Sequence, residues 1–179
     1  MTTEHDRAVL NQILNPLMPT TQVTNNDIQY EEIKIDHEGY VESVKLEQQG
    51  VILAEGGKID EAIEIFTKAI EKCEINPSAY NNRAQAYRMQ KKPNEAMNDL
   101  NEALRLSPAK SKIACQAYVQ RASIYRLQDE NEKAREDFQK AADLGSSFAR
   151  MQLVALNPYA AMCNKMLSEV FENLKQGKQ

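Results

Sequence analysis

Large and small apolar residues return at nearly fixed intervals along the middle of the chain. Leu46-Glu47-Gln48-Gln49-Gly50-Val51-Ile52-Leu53 aligns with Tyr80-Asn81-Asn82-Arg83-Ala84-Gln85-Ala86-Tyr87 at an offset of 34 residues. That stretch aligns in turn with Tyr118-Val119-Gln120-Arg121-Ala122-Ser123-Ile124-Tyr125 at an offset of 38. Downstream, Ala62, Ala96 and Ala134 correspond, as do Phe66, Leu100 and Phe138, and then Ala69, Ala103 and Ala141. Apolar positions three and four apart form one face of a helix. Each unit therefore predicts two helices, and a period of this length predicts stacked helical hairpins. The small residues have a steric reason. Gly50, Ala84 and Ala122 on the first helices, and Ala62, Ala96 and Ala134 on the second, mark close crossings where larger side chains do not fit. The aromatic and leucine positions fill the space between neighbouring hairpins.

Turn and cap residues divide the pattern at the expected places. Gly56-Gly57 ends the first helix and Asp60 is expected to cap the second. Asn76-Pro77 reads as a cap followed by the first helical position. Pro93-Asn94, Ser107-Pro108 and Gly145-Ser146 supply the later breaks. The third unit arrives four residues late, with the extra material in residues 107–114, either as an added helical turn or as a longer loop.

The flanks follow a different plan. Residues 5–15 carry a helix-like stripe, Ala8, Val9, Ile13 and Leu14, that ends at Pro16. A cap on the first repeat is the favoured role, with autoinhibition of the groove or partner binding as alternatives. Residues 20–36 are polar and read as a linker or a poorly ordered arm; from Gly39 a helical pattern runs into the first repeat. After the repeats, Ser147 to Leu156 predicts a short helix, and Asn157-Pro158 starts another with Tyr159, Met162, Cys163, Met166, Leu167, Val170 and Phe171 on its apolar face. Both are expected to cover the last repeat, with Tyr159 as an anchor. The organisation is thus an N-terminal helix and polar arm over 1–38, three repeats within 39–146 (about 43–76, 77–110 and 115–148), and capping helices over 147–175.

Composition narrows the function classes. The chain has 179 residues, 42% hydrophobic and 27% charged, with a formal net charge of −4, which suits one folded domain. Eight acidic and two basic residues fall within 1–42, sixteen of each within 43–146, and two acidic and four basic within 147–179. No basic stripe suggests nucleic acid. No run suggests a membrane span and no leader is evident, so a cytoplasmic protein is expected. Cys73, Cys115 and Cys163 have no metal-knuckle spacing and read as buried reduced thiols, although Cys73 sits within the charged run Glu71-Lys72-Cys73-Glu74. His5 and His37 both lie in the arm, no glycine-rich phosphate loop is present, and Cys115 has no histidine partner in the repeats. A non-enzymatic chain without cofactor or metal follows. The repeating tyrosines at 80, 87, 118 and 125 are accounted for by packing.

The recurrence of these small and aromatic positions in three copies over 43–146 resembles the tetratricopeptide repeat family. Pro108 keeps that family's terminal proline, whereas Glu74 and Ser146 replace it. The resemblance implies an all-α, right-handed alpha-alpha superhelix of three hairpins with flanking and capping helices. The flanks Asp6-Arg7-Ala8-Val9-Leu10 with Asn15-Pro16, and Leu156-Asn157-Pro158-Tyr159 through Met166-Leu167, resemble a narrower group within the family. That likeness implies a small adaptor associated with the Hsp70 chaperone or, alternatively, a stabilising partner of a metabolic enzyme, with a link to tyrosine breakdown. A structural, self-associating protein is a third reading, and a monomer is expected.

In such a superhelix the first helices line the concave side. Groove positions then include Val44, Glu47, Gln48, Val51 and Glu55, then Ser78, Asn81, Asn82, Gln85, Arg88 and Met89, then Gln116, Val119, Gln120, Ser123, Arg126 and Leu127. A bound peptide needs partners for its backbone groups, and Asn and Gln each offer a donor and an acceptor. Asn81, Asn82, Gln85 and Gln120 are therefore candidate peptide-holding residues, and Arg88 and Arg126 can bind a carboxylate. Family members that grip an acidic chaperone tail use Lys, Asn, Asn, Lys and Arg at positions matched here by Glu47, Val51, Asn82, Gln116 and Gln120. Only Asn82 survives, and Glu47 reverses the sign, so a conventional clamp is not expected.

Overall fold

Seven named helices follow one another over residues 40–155 in a computed structural model, with no strand among the described residues. The structure describes residues 30–157 and, beyond them, positions 159, 162, 163, 166, 167 and 170. The helices are α1 (Tyr40–Glu55), α2 (Ile59–Lys72), α3 (Pro77–Met89), α4 (Pro93–Leu106), α5 (Lys112–Leu127), α6 (Asn131–Asp143) and α7 (Ser147–Ala155). The chain divides into two units, one of Ile28–Ser146 and one of Met1–Asp27 with Ser147–Gln179. The helical stripe expected over residues 5–15 lies outside the described residues.

The repeat unit is three hairpins, α1–α2, α3–α4 and α5–α6, stacked in order. First helices also meet across repeats, α1 with α3 and α3 with α5. A stack curves toward the side where its elements approach most closely, so these helices form the inner face. The predicted small positions are the contacts: Ala62, Ala84, Ala96, Ala122 and Ala134 are all fully buried. Gly50 lies against the Phe66 ring so closely that a Cβ there would sit 2.5 Å from Cε1. Leu100 and Phe138 are buried at the places equivalent to Phe66.

The connections repeat as well. Each turn within a hairpin needs one residue in the left-handed region, and the equivalent positions are Gly57 (φ 79°), Lys91 (φ 59°) and Asp129 (φ 59°). Asn76 caps α3, its Oδ1 accepting from the Ser78 N–H at 3.2 Å, with Pro77 next. Ser111 caps α5 through Ala114 N–H at 3.0 Å. Asp60 does not cap α2. That position is Lys58, and Asp60 sits in the first turn, where its charge favours the positive end of the helix dipole. The late third unit is also explained. Helix α5 has 16 residues against 13 in α3, so three extra residues lengthen the helix and the fourth falls in the connection 107–111.

One Arg–Asp pair recurs with the repeat and ties the second and third hairpins together. Arg83 on α3 forms a bidentate pair with Asp99 on α4, both bonds at 2.8 Å, and its Nη1 donates to Thr67 on α2 at 3.1 Å. Arg121 on α5 does the same with Asp137 on α6, at 2.6 and 2.9 Å, and reaches Asn101 on α4 at 2.7 Å. Tyr80 and Tyr87 flank the Arg83 guanidinium, at 5.8 and 5.9 Å to their ring centres, which adds cation–π attraction.

Residues 30–39 correct the expected linker over the part that is described. They form an extended strap along the ends of the second helices. Tyr30 Oη donates to the Leu144 carbonyl beyond α6 at 2.9 Å, Glu31 N–H donates to Lys110 O beyond α4 at 2.9 Å, and Gly39 lies against the Lys72 carbonyl at the end of α2. Ile33 and Ile35 are half-buried. Polar composition hid this, because the strap's bonds go to backbone carbonyls beyond α4 and α6, which carry no side-chain signal.

The cysteines separate into two kinds. Cys73 and Cys115 are buried, and burial pushes both thiols upward in pKa. Cys73 is therefore not part of a charged surface. Cys163 is exposed, contrary to the expectation of three buried thiols. Tyr159 also departs from its expected role as an anchor, being 73% exposed. Its backbone N–H instead completes a turn on Asn157 Oδ1 at 3.0 Å.

Candidate protein-binding groove

The inner face is built from α1, α3 and α5, and its repeat-one end carries a buried acid. Glu47 is 6% exposed. Its Oε1 accepts from Asn76 Nδ2 at 2.5 Å and its Oε2 from Asn82 Nδ2 at 3.0 Å. Asn76 Nδ2 also reaches Ser43 Oγ at 3.0 Å, and Ser43 Oγ donates to the Ala69 carbonyl at 2.7 Å. The carboxylate thus belongs to a polar network joining α1 to the α2–α3 connection. Burial raises the Glu47 pKa, while hydrogen bonds from Ser78, Asn76 and Asn82 act in the opposite direction.

That shift predicts a pH dependence. An acid with a raised folded pKa holds its proton better when folded, so its contribution is fully present below the ordinary carboxylate range of about 4.3 and is lost as pH rises through the folded value. Glu47→Gln does not titrate. The variant should therefore gain stability relative to the parent as pH rises above about 4.3. Urea denaturation from pH 4 to pH 7 checks this, and a stability difference that ignores pH would contradict it.

The candidate residues separate into a scaffold and a surface. Asn81 and Gln120 are buried rather than displayed. Gln120 Nε2 donates to Asn81 Oδ1 at 2.9 Å and to the Asn81 carbonyl at 3.3 Å. This fixes the amide, so Gln120 Oε1 faces Arg88 and accepts from its Nη1 at 3.3 Å. Arg88 is half-buried and has no carboxylate partner among the described residues; burial pushes its pKa down. Asn82 is half-buried on Glu47, Gln85 is exposed, and Arg126 is exposed on α5 near the helix end. The structure therefore brings Asn81, Gln120 and Arg88 into one chain of contacts and joins Asn82 to Glu47. The burial of Glu47, Asn81 and Gln120 had no signal in the sequence, because neighbouring helices supply their partners.

Two hollows open on this face. The smaller, about 160 Å³, lies between α1 and α3 and is lined by Val51, Ala54, Glu55, Phe66, Asn82, Gln85, Ala86 and Met89. The larger, about 490 Å³, lies between α3 and α5, with Gln85, Arg88, Met89, Lys91, Ile124 and Leu127 on its walls. Gln85 and Met89 border both. Val51, Met89 and Leu127 are 37%, 55% and 83% exposed. The walls are mainly apolar, with Glu55 and two amides in the smaller hollow and Arg88, Lys91 and amides in the larger.

Family patterns support the same class. Those described as tetratricopeptide repeat match residues 77–109 and 116–144, and one described as TPR repeat matches 50–91. With three such hairpins, the chain belongs to the tetratricopeptide repeat family, a class of helical-hairpin proteins. Within it, the chain is similar to tetratricopeptide repeat protein 36 of Caenorhabditis elegans, 70% identical over 178 residues that cover 99% of both chains. The Danio rerio protein of that name is 47% identical, covering 98% of this chain and 96% of the relative. Among solved structures, the first TPR of Spaghetti (RPAP3) bound to HSP90 peptide SRMEEVD matches with a TM-score of 0.62 and 27% identity. That match covers 72% of this chain and 99% of the other.

Proposed function

We propose that the chain is a non-enzymatic adaptor that holds a segment of a partner protein on the α1–α3–α5 face. The observation that carries this reading is the pair of adjoining hollows on that face, bordered by exposed Val51, Met89, Leu127 and Gln85. Exposed apolar side chains beside hydrogen-bonding amides are the mixture that a peptide's side chains and backbone require. Likeness to a domain bound to a chaperone peptide supports the same use of the fold. Association with Hsp70, a cytoplasmic location and a monomeric state belong to this reading.

A chaperone contact would differ from the conventional clamp. Glu47 replaces a cation, and its carboxylate already occupies the Asn82 amide that the clamp would use. A second reading rests on the other unit. Met151, Met162, Met166, Leu167 and Val170 are each between 46% and 58% exposed, an apolar set that a partner would cover, and in this reading the partner is a metabolic enzyme, such as one of tyrosine catabolism, or a second copy. Affinity capture from extract tests the groove. The paired change Val51→Glu with Gln85→Glu places charges at exposed positions in the smaller hollow without touching a buried network. A partner captured by the parent and lost by a variant of unchanged melting temperature supports the groove. A partner retained by that variant overturns it.

A further inference from the structure

Three arginines on the first helices of repeats two and three have at least half of their side chain within the fold or groove, but they are not equivalent. Arg83 and Arg121 each have a dedicated aspartate in bidentate geometry. Arg88 is half-buried, and its one polar contact among the described residues is the amide oxygen of Gln120 at a long 3.3 Å. A guanidinium removed from water without an anion loses hydration and recovers little of it. Its geometry is nevertheless set with care. Asn81 fixes Gln120 through two acceptors, and Gln120 presents an oxygen to Arg88. A buried amide pair thus orients a cation that the fold itself does not neutralise.

The surroundings say what would neutralise it. Arg88 and Lys91 both line the larger hollow, and no acidic residue does. The rest of that wall is largely apolar, with Met89, Pro93, Ile124 and Leu127. At the opposite end of the inner face stand Glu47 and Glu55. The face is therefore charge-polarised from repeat one to repeats two and three, which fixes the direction in which a charged chain lies along it. We propose that the hollow between α3 and α5 binds a carboxylate-bearing peptide segment, with the carboxylate on Arg88 and a neighbouring large apolar side chain against Met89, Ile124 and Leu127. The site lies away from the five clamp positions, of which only Gln120 takes part, as a positioning residue. This inference rests on the adaptor reading and names the chemistry of its partner.

Selection from a displayed peptide library against the full chain tests it. Selected peptides are remade with N-terminal acetyl groups, in both C-terminally amidated and free forms, and titrated by calorimetry. Enrichment of Asp or Glu within three residues of Leu, Ile, Met or Phe is the expected result. Arg88→Gln should weaken those peptides by about tenfold to a hundredfold, the range for a hydrogen bond to a charged group, and Arg88→Lys should restore part of the loss. Retained affinity of the amidated peptides assigns the carboxylate to a side chain, and loss on amidation assigns it to the terminus; either satisfies the proposal. Peptides that bind without an acid, or whose acid is indifferent to Arg88→Gln, overturn the proposal and leave the adaptor reading standing if Val51→Glu with Gln85→Glu abolishes their binding. If no peptide is selected and the captured partner survives that paired change, both readings fail.

Discussion

Replacing Arg121 with alanine should lower the free energy of unfolding by about 3–5 kcal/mol, the range measured when one partner of a buried ion pair is removed. The side chains are 18% and 4% exposed for Arg121 and Asp137, so Asp137 cannot regain water when its partner goes. Its remaining cation, Lys140, lies 3.6 Å away with a half-exposed side chain, too solvated to substitute for a bidentate guanidinium. Asn101 would lose its bond as well, loosening repeat two from repeat three. Such a loss is a large part of the roughly 5–15 kcal/mol that holds an ordinary domain folded. Arg121→Met with Asp137→Leu should recover most of it, because an apolar pair removes both desolvation costs together. Urea denaturation of the parent and the two variants checks this. A loss below about 1 kcal/mol for Arg121→Ala would mean that the pair behaves as a surface ion pair.

The hairpins were legible because their constraint is steric and local. Close helix crossings admit only small residues, so Gly50, Ala84 and Ala122 stand out in the sequence at a fixed place in each unit. Asn76-Pro77 was legible for a similar reason, since a cap is a short-range bond. The strap over residues 30–39 was not legible. Its hydrogen-bond partners at Lys110 and Leu144 are backbone carbonyls, and any sequence offers those. Polar composition instead suggested a loose arm. The ion pairs were partly legible. Arg83 and Arg121 recur at the repeat offset, as do Asp99 and Asp137, and this recurrence could have indicated a structural role before any geometry was known.

The groove shows where the helix period stops being informative. It places Glu47, Asn81 and Gln120 on the inner side of the first helices, but cannot tell an inward-facing side chain open to solvent from one buried by the next repeat. Asn81 and Gln120 fall in the second class because α3 and α5 approach closely enough for their amides to meet. Their candidate role changes accordingly, from touching a peptide to orienting Arg88. Gln85 and Arg88 keep the places the period assigns them, bordering the hollows.

Phe66→Ala should cost about 3–5 kcal/mol, as large-to-small changes of buried aromatic residues do. The ring is 2% exposed and packs with Ala62 and Ala86, against Leu53, Ala54, Ile59 and Ile63, so it joins α1, α2 and α3. Its contact with Gly50 makes a sharper test. Three ring atoms would lie 2.5, 2.8 and 2.9 Å from a Cβ at position 50, and the ring is enclosed by the same cluster. Gly50→Ala alone should therefore destabilise, with overpacking of about 1–3 kcal/mol exceeding the roughly 1 kcal/mol that alanine gains over glycine within a helix. Once the ring is gone the clash is gone, and the helical preference of alanine remains. In the Phe66→Ala background, Gly50→Ala should then stabilise by up to about 1 kcal/mol. A reversal of sign is a stronger result than any single loss, because independent sites add. Thermal or urea unfolding of the four proteins in the cycle measures it. Additive effects would show that the ring moves aside freely, and that the glycine at position 50 is not required by the crossing of α1 with α2.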